Sequence, residues 1–171
     1  MKVSLTAQPV DKVTAETLVL THFVGDVPLI GPAGLIDWRL NGRLSRVILG
    51  GRFSGKAKEL LLMPAEGRFK ALDVVWLGLG VKESFDEVHI PQVFEFVIDV
   101  IIKKKAAQVA LSLTQMMAGP FDWRNAVSLL VGRLQSERTL KELILSEPDD
   151  CIRDAKKRRL ELGAGVQVSF D

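Results

Sequence analysis

An α/β fold is predicted, with a mixed, largely parallel sheet between layers of helices, and two observations predict it. Short apolar runs come first, and from about Ala71 such runs alternate with helical stripes of apolar residues. This order is typical of parallel strands joined by helices that cover both faces of a sheet. No long linker, repeat or low-complexity tract divides the 171 residues. A domain typically takes ~100–200 residues, so we expect residues 1–171 to form a single domain.

Seven short runs are predicted as strands, mostly from their apolar and β-branched residues. The run ETLVLTHFV is almost wholly apolar, which favours a strand that is buried on both faces. The predicted strands lie at 2–8, 16–24, about 57–63, about 71–77, 107–113, 139–145 and 166–170.

Helices are predicted in the remaining segments from apolar residues that recur on one stripe and from capping residues. The first is expected to be one continuous helix that ends at a pair of glycines. The predicted helices run from Leu35 to Gly50, from Pro91 to about Lys104, from Asp122 onward, and from near Ser146 to Gly163. We expect the three tryptophans to anchor the core or to mark an interface: Trp38, Trp76 and Trp123.

Composition predicts a soluble cytoplasmic protein without a membrane anchor. The lone cysteine, Cys151, indicates a reducing compartment. The amino terminus lacks the apolar stretch of ~7–15 residues that a secretory signal needs. The most apolar helical run, residues 93–102, contains two acidic residues and is too short to span a bilayer. The net charge of +2 is too small to indicate a nucleic-acid partner.

Catalytic and metal-binding residues are not expected in this chain. Its two histidines, His22 and His89, and its single cysteine give no zinc-ligand spacing. His22 lies in an apolar strand pattern, so we interpret it as a hydrogen-bonded core residue, and His89 as an exposed one. Acidic neighbours oppose thiolate formation at Cys151, so a structural role is favoured there. We expect no cofactor.

Two glycine-containing motifs resemble phosphate-binding loops without matching them. The segment GGRFSGKA, residues 50–57, carries Ala57 where a P-loop has a magnesium-binding Ser or Thr. It also runs from a helix into a strand, which is the reverse of the P-loop order. The segment Gly78-Leu79-Gly80 has Glu83 where the third glycine of a dinucleotide fingerprint belongs.

The passage from Gly25 to Gly34 is the strongest candidate for a ligand site. It links a buried strand to a helix start, where glycines permit close backbone approach and free N–H groups favour anions. The segments 78–81 and 118–120 also follow predicted strands, which places them at the same edge of a parallel sheet. The alternative, a purely structural turn, is favoured, because loop glycines usually serve the backbone. The candidate ligand-binding residues are Gly25, Asp26, Gly31, Gly34, Gly78 and Gly80.

A basic cluster follows at residues 153–159, with Arg153, Arg158 and Arg159 among its members. It predicts either a docking surface for nucleic acid or an acidic partner, or a solvated helix face. Because no aromatic residues are interleaved for base stacking, the solvated face is favoured.

Several segments together resemble the amino-terminal domain of the leucyl aminopeptidase (cytosol aminopeptidase) family. The likeness covers roughly residues 15–115 and is carried by TLVLTHFVGD, LIDWRLNGRLSRVI, RFSGKAKELLLM and VVWLGLG. The family has an equivalent F-x-G-K stretch that enters a strand, and an apolar strand that closes on G-L-G. The corresponding residues here are Phe53, Gly55, Lys56, Gly78, Leu79 and Gly80.

The resemblance implies a macro-domain-like fold and a chain that is not an enzyme on its own. The family's two-metal peptidase site lies in a separate carboxy-terminal domain with an N-T-D-A-type motif, and this chain holds no such string. We therefore expect a non-catalytic interaction or assembly domain, whose partner is a further copy of itself or a catalytic aminopeptidase domain. The alternatives are a binder of ADP-ribose or a related nucleotide and, less favoured, a DNA-binding regulatory module.

Overall fold

The computed structural model describes residues 1–84, 90–116 and 121–170. His89 and the segment 118–120 therefore lie outside the described residues. The strands are β1 (Lys2–Thr6), β2 (Thr17–His22), β3 (Leu60–Pro64), β4 (Asp73–Gly78), β5 (Gln108–Leu111), β6 (Glu142–Ser146) and β7 (Gln167–Phe170). The helices are α1 (Gly31–Arg39), α2 (Arg43–Leu49), α3 (Ile90–Lys104), α4 (Leu113–Met116), α5 (Trp123–Leu134) and α6 (Asp149–Lys157). Short 3-10 helices span Val10–Lys12 and Lys82–Ser84.

The described strands form one seven-stranded sheet in the order β3-β4-β2-β5-β6-β1-β7. Every neighbouring pair is parallel except β3 with β4, which is antiparallel. The prediction of a mixed, largely parallel sheet is therefore confirmed. Because parallel strands point the same way, the carboxyl ends of β1, β2, β4, β5 and β6 meet at one edge, as His22 beside Gly78 illustrates.

Two apolar cores lie on opposite faces of this sheet. The helices α3, α4, α5 and α6 pack on one face, where Leu130 is fully buried. The helices α1 and α2 cover the other face, and Leu44 and Trp76 are fully buried there. The architecture is a three-layer α/β/α arrangement, as predicted. Within the described residues, no helix is both long and apolar enough to cross a membrane.

The single helix predicted from Leu35 to Gly50 is wrong, because the chain forms two helices there. α1 already begins at Gly31, and the helical path breaks at Asn41 and Gly42, whose φ angles are 55° and 71°. The buried carboxylate of Asp37 accepts hydrogen bonds from the backbone N–H groups of Leu44 (2.7 Å) and Ser45 (3.2 Å), at the start of α2. The Asp37 side chain thus caps the amino terminus of α2.

The remaining helices differ from the predictions mainly at their ends. The Asp122 carboxylate accepts a hydrogen bond from the Asn125 N–H, which confirms the predicted cap of α5. Ser146 ends β6, and its hydroxyl donates to the carbonyl of Gln8 instead of capping α6. α6 ends at Lys157, six residues before the predicted stop. Trp76 and Trp123 are buried core residues, whereas Trp38 is 68% exposed.

Candidate functional site

A cavity of about 210 Å³ opens at the carboxyl edge of the sheet, beyond the end of β2. The loop from β2 to α1, the start of α1, Lys82 and the first turn of α4 form its walls. Ligands of open α/β sheets bind at this edge, because strand ends and helix amino termini converge there. We call this cavity the carboxyl-edge cleft.

A second cavity of about 320 Å³ adjoins the cleft beyond the ends of β1, β5 and β6. Gly31, Ser112 and Glu147 line it, and it shares Pro32 and Gln115 with the cleft. The two cavities therefore follow one edge of the sheet on either side of Pro32 and Gln115.

His22 is the most distinctive polar residue of the cleft. It ends β2, is 4% exposed, and its Nε2 has no hydrogen-bond partner among the described residues. Burial lowers the pKa of the imidazole because it disfavours the charged form, and the nearby Asp26 carboxylate opposes this only in part. His22 is therefore neutral at pH 7. The prediction of a core position is confirmed, but its Nε2 does not have the hydrogen bond that we expected.

A weak ion pair lies at the mouth of the cleft. The Lys82 Nζ lies 3.8 Å from a carboxylate oxygen of Asp26, and each side chain is about half exposed. An exposed pair at this distance contributes ~0–1 kcal/mol at most. The Lys82 ammonium also lies 5.8 Å from the centre of the Phe23 ring. Among the residues that the structure describes, the mouth therefore offers a positive charge from Lys82 and a negative charge from Asp26.

Glu147 is a buried carboxylate that the sequence analysis passed over. It directly follows β6 and accepts hydrogen bonds from the Leu113 N–H (2.5 Å), the Thr114 N–H (3.2 Å) and the Thr114 hydroxyl (2.7 Å). Burial nevertheless raises the pKa of its carboxyl. An acidic residue directly after an apolar strand was the available signal. Its donors come from the first turn of α4, so its observed contacts fix this helix at the sheet edge.

Three of the candidate glycines lie between the end of β2 and the first turn of α1, with Gly25 in the loop and Gly31 and Gly34 in the helix. Gly31 has a φ of 58°, and a Cβ there would lie 3.2 Å from the Gln115 Oε1. At Gly34 a Cβ would lie 2.6 Å from the Leu29 carbonyl oxygen, so close backbone packing requires this glycine. Gly25 has a φ of 81° with open space around it. Asp26 and Gly31 are the candidates that border the two cavities.

Gly78 and Gly80 pack against the segment that resembles a P-loop. A Cβ on Gly78 would lie 2.0 Å from the Lys56 carbonyl oxygen. Gly80 donates its N–H to the Gly55 carbonyl (2.8 Å) and has a φ of 87°. A Cβ on Gly55 would in turn lie 2.9 Å from the Phe23 carbonyl oxygen. These contacts give a structural reason for F-x-G-K and G-L-G to occur in one chain, because the two segments fit together only without side chains.

Exposed apolar side chains occur at the cleft or next in sequence to residues that line it. Three of them belong to the loop after β2, and the fourth is Val81. The two segments are joined by a hydrogen bond from the Val24 N–H to the Gly80 carbonyl (2.9 Å). The exposed fractions are 37% for Val24, 56% for Val27, 80% for Ile30 and 50% for Val81. We call these four residues the apolar rim.

The other sequence candidates lie away from the cleft or are held in protein contacts. Burial and neighbouring carboxylates raise the pKa of Cys151 to about 11, so its thiol stays protonated at neutral pH. In the basic cluster, Arg158 pairs with Asp154 (3.0 Å), and Lys156 lies over the Phe170 ring. Among the described residues, no group of three or more His, Cys, Asp or Glu could hold a metal ion.

Sequence comparison identifies related proteins that are much longer. The model of the cytosol aminopeptidase family, N-terminal domain, matches residues 23–135. The probable cytosol aminopeptidase of Sulfurihydrogenibium sp. (strain YO3AOP1) is 28% identical over 112 residues, which are 66% of this chain and 21% of that protein. The probable cytosol aminopeptidase of Burkholderia multivorans (strain ATCC 17616 / 249) is 26% identical over 161 residues, covering 84% of this chain and 32% of that protein. The chain thus spans between a fifth and a third of these relatives.

Solved structures share the fold at low sequence identity. The Trypanosoma brucei macrodomain in complex with ADP-ribose superposes with a TM-score of 0.68 at 13% identity, covering 93% of this chain and 69% of that chain. The macrodomain of Mycobacterium tuberculosis DarG gives 0.64 at 17% identity, with 84% and 96% covered. A tomato leucine aminopeptidase mutant gives 0.58 at 16% identity, with 96% and 33% covered. The chain therefore has a macro-domain-like fold.

Proposed function

Since the chain belongs to the cytosol aminopeptidase family, whose amino-terminal domain it matches, we propose that it is a non-catalytic interaction and assembly domain. Its partner is either a catalytic aminopeptidase domain or another copy of the chain. The apolar rim carries this proposal, because exposed apolar side chains grouped near one site are typical of protein interfaces. The cleft inside the rim, at about 210 Å³, is smaller than the ~300 Å³ at which small-molecule pockets begin.

Association can be tested by placing a charge on the rim. Sedimentation velocity is measured over a range of concentrations for the chain alone and for the chain mixed with a cytosol aminopeptidase catalytic domain. We expect association in at least one of these samples, and Ile30→Glu or Val81→Glu should weaken it at least tenfold, because a buried unpaired carboxylate is unfavourable. The matched control is Leu129→Glu, an exposed leucine on α5. A chain that stays monomeric and does not bind the catalytic domain would contradict the proposal.

The non-catalytic part of the proposal has a separate test. Purified chain is incubated with leucyl-p-nitroanilide in the presence of Zn²⁺ or Mn²⁺, and we expect no turnover above the rate without protein. Turnover that co-purifies with the chain through two different chromatographic steps would overturn this part.

A nucleotide-type ligand is the second candidate, and His22 is the observation that favours it. Its buried Nε2 lacks a partner in the described structure, and unpaired buried polar atoms are rare in proteins. Macrodomains of Trypanosoma brucei were solved in complex with ADP-ribose and with ADP. A ligand of that size would occupy the cleft and the adjoining 320 Å³ cavity together.

Calorimetry with ADP-ribose and ADP tests this second candidate. We expect binding that His22→Leu weakens about tenfold, since one lost hydrogen bond corresponds to about 1.4 kcal/mol. Leu129→Glu should leave it unchanged. An absence of heat at millimolar ligand would dispose of the candidate.

We also propose that residues 1–171 act as one domain in the cytoplasm. A single sheet that contains both β1 and β7 supports the first statement. A lone cysteine, Cys151, supports the second, because disulfide frameworks need pairs of cysteines.

A further inference from the structure

The strand β3 forms one edge of the sheet, and its open side is apolar. β3 pairs with β4 and with no other described strand. Leu60 and Leu62 are 52% and 51% exposed. A flat apolar edge strand is a ready template for pairing with another chain, and proteins usually protect such edges with charges, bulges or a covering element.

The register shows which backbone groups of β3 are available. The Glu59 carbonyl accepts from the Gly78 N–H (2.9 Å), and the Ala65 N–H donates to the Leu72 carbonyl (2.9 Å). Hydrogen-bonded positions of an antiparallel pair alternate, so residues 59, 61, 63 and 65 face β4. The N–H and C=O groups of Leu60 and Leu62 therefore point to the open edge. Pro64 lacks an N–H, so pairing would end there.

The two faces of the β3 edge differ in chemistry. Leu60 and Leu62 lie on the face of the α3 core, since their register partners Leu77 and Val75 belong to that core. On the opposite face a groove of about 450 Å³ runs between β3 and α2. Arginines line that groove: Arg43, Arg46 and Arg52. A strand added to the edge would therefore meet leucines on one side and guanidinium groups on the other.

Positive charge exceeds negative charge in this groove. Glu66, which is about half exposed, pairs with Arg43 (2.8 Å) and more weakly with Arg68 (3.9 Å). The Glu59 carboxylate at the start of the strand accepts N–H groups from Ser54, Gly55 and Lys56. Arg46 donates to a neutral carbonyl. The groove thus retains unneutralised guanidinium charge.

We propose that the β3 edge binds an extended segment of a partner protein by strand addition, and that this segment alternates apolar with acidic residues. Side chains of a strand alternate between faces. Apolar residues of the segment would lie beside Leu60 and Leu62, and its carboxylates would pair with Arg46 and Arg52. A second copy of the chain fits less well, because pairing two β3 edges brings both sets of arginines together. This surface is separate from the apolar rim, so the proposal stands or fails independently of it.

A synthetic peptide tests the proposal directly. Fluorescence anisotropy is measured at physiological salt with labelled acetyl-(Val-Glu)₄-amide and, for comparison, acetyl-(Val-Lys)₄-amide. We expect the acidic peptide to bind at least tenfold more tightly than the basic one. Arg46→Glu with Arg52→Glu should weaken acidic-peptide binding at least tenfold, whereas Arg153→Glu with Lys157→Glu on α6, a control with the same change in charge, should not. Equal binding of both peptides, or no binding of either, would overturn the proposal.

The backbone part of the proposal has its own readouts. A peptide of the same sequence with alternate amides N-methylated should bind at least tenfold more weakly, because one edge of its backbone can no longer donate hydrogen bonds. Amide hydrogen exchange should slow at Leu60 and Leu62 when the unmethylated peptide is added. Exchange that slows only around Arg46 would indicate a purely electrostatic contact and would contradict strand addition. Concentration-dependent dimerisation that β3 substitutions abolish would assign the edge to a second copy instead.

Discussion

Two buried titratable residues at the carboxyl edge respond to burial in opposite directions. Burial lowers the pKa of His22 and raises that of Glu147, because the charged form is disfavoured in each case. The folded protein therefore binds a proton at His22 less readily than the unfolded chain does, and at Glu147 more readily. As pH falls through about 6.5, His22 reduces the free energy of unfolding, whereas Glu147 reduces it as pH rises above 4.5.

The contribution of His22 can be isolated by substitution. Wild-type chain should lose free energy of unfolding between pH 7.5 and 5.5, by at most ~1.4 kcal/mol per pH unit from this residue, because protonation of the unfolded chain is favoured. In His22→Gln this component is absent, so its loss over the same interval should be smaller. Urea denaturation at the two pH values measures both. Parallel curves for the two proteins would show that His22 titrates normally in the folded state.

For single residues, the sequence predicted that His22 is buried but not that its Nε2 lacks a hydrogen-bond partner among the described residues. A histidine within TLVLTHFV predicts a buried residue, because the run is apolar on both sides. The imidazole packs against a distant segment, with the Phe53 ring centre 6.0 Å from its own and Gly55 close to its Cδ2. No local pattern encodes that contact. Glu147 was predictable in principle as a strand-end carboxylate, but its donors in α4 were not.

Helices and strands were predicted well wherever one local signal decided their limits. Pro91 in the first turn marked the start of α3, and Asp122 marked the cap of α5. The α1–α2 corner was missed because an apolar stripe continues across the break. The dipeptide Asn41-Gly42 was the available signal, since both residues adopt positive φ angles that Asn and Gly tolerate best.

The Asp37 carboxylate should hold this corner together. Asp37→Ala removes the acceptor for the N–H groups of Leu44 and Ser45 and for the Ser45 hydroxyl. We expect a loss of about 1–3 kcal/mol, because buried donors are left unpaired. Asp37→Asn keeps one acceptor oxygen and should lose less. Urea denaturation measures both variants, and an Ala variant as stable as the wild type would contradict the assigned role.

A pair of glycine substitutions tests the packing of the Gly78 segment. Gly78→Ala places a Cβ 2.0 Å from the Lys56 carbonyl, so we expect a loss of more than about 3 kcal/mol or failure to fold. Gly132→Ala on α5 meets no atom within 4 Å and should stabilise the chain by about 0.5–1 kcal/mol. Thermal unfolding followed by circular dichroism compares them. Equal effects in the two variants would mean that β4 does not pack against Lys56 as described.

The two cores of the whole molecule are joined through the strands themselves. Leu18 and Val74 face one core, and their chain neighbours Val19 and Val75 face the other. Losing either core therefore exposes one face of both β2 and β4. The strand order that creates this arrangement depends on pairings between residues far apart in sequence, such as β1 with β6 and β7. Local periodicity predicts the presence of these strands but not their neighbours.

Unfolding should consequently occur in one step. Leu44→Ala and Leu130→Ala, one in each core, should each reduce the free energy of unfolding by about 2–5 kcal/mol, because both leucines are fully buried. Each variant should keep a single transition, with far-ultraviolet circular dichroism and tryptophan fluorescence giving the same midpoint. Separate transitions for the two probes would show that the faces unfold independently.

Because the three tryptophans differ in exposure, their fluorescence can report binding at one part of the surface. Trp38, at the end of α1, is open to solvent with the Arg39 guanidinium 5.0 Å above its ring. Trp76 is sealed in one core and Trp123 in the other. Iodide in the buffer will reach the indole of Trp38 and leave the other two emitting. A molecule that binds near the α1–α2 corner will therefore reduce the quenching of Trp38 fluorescence by iodide, and its binding can be measured without a label.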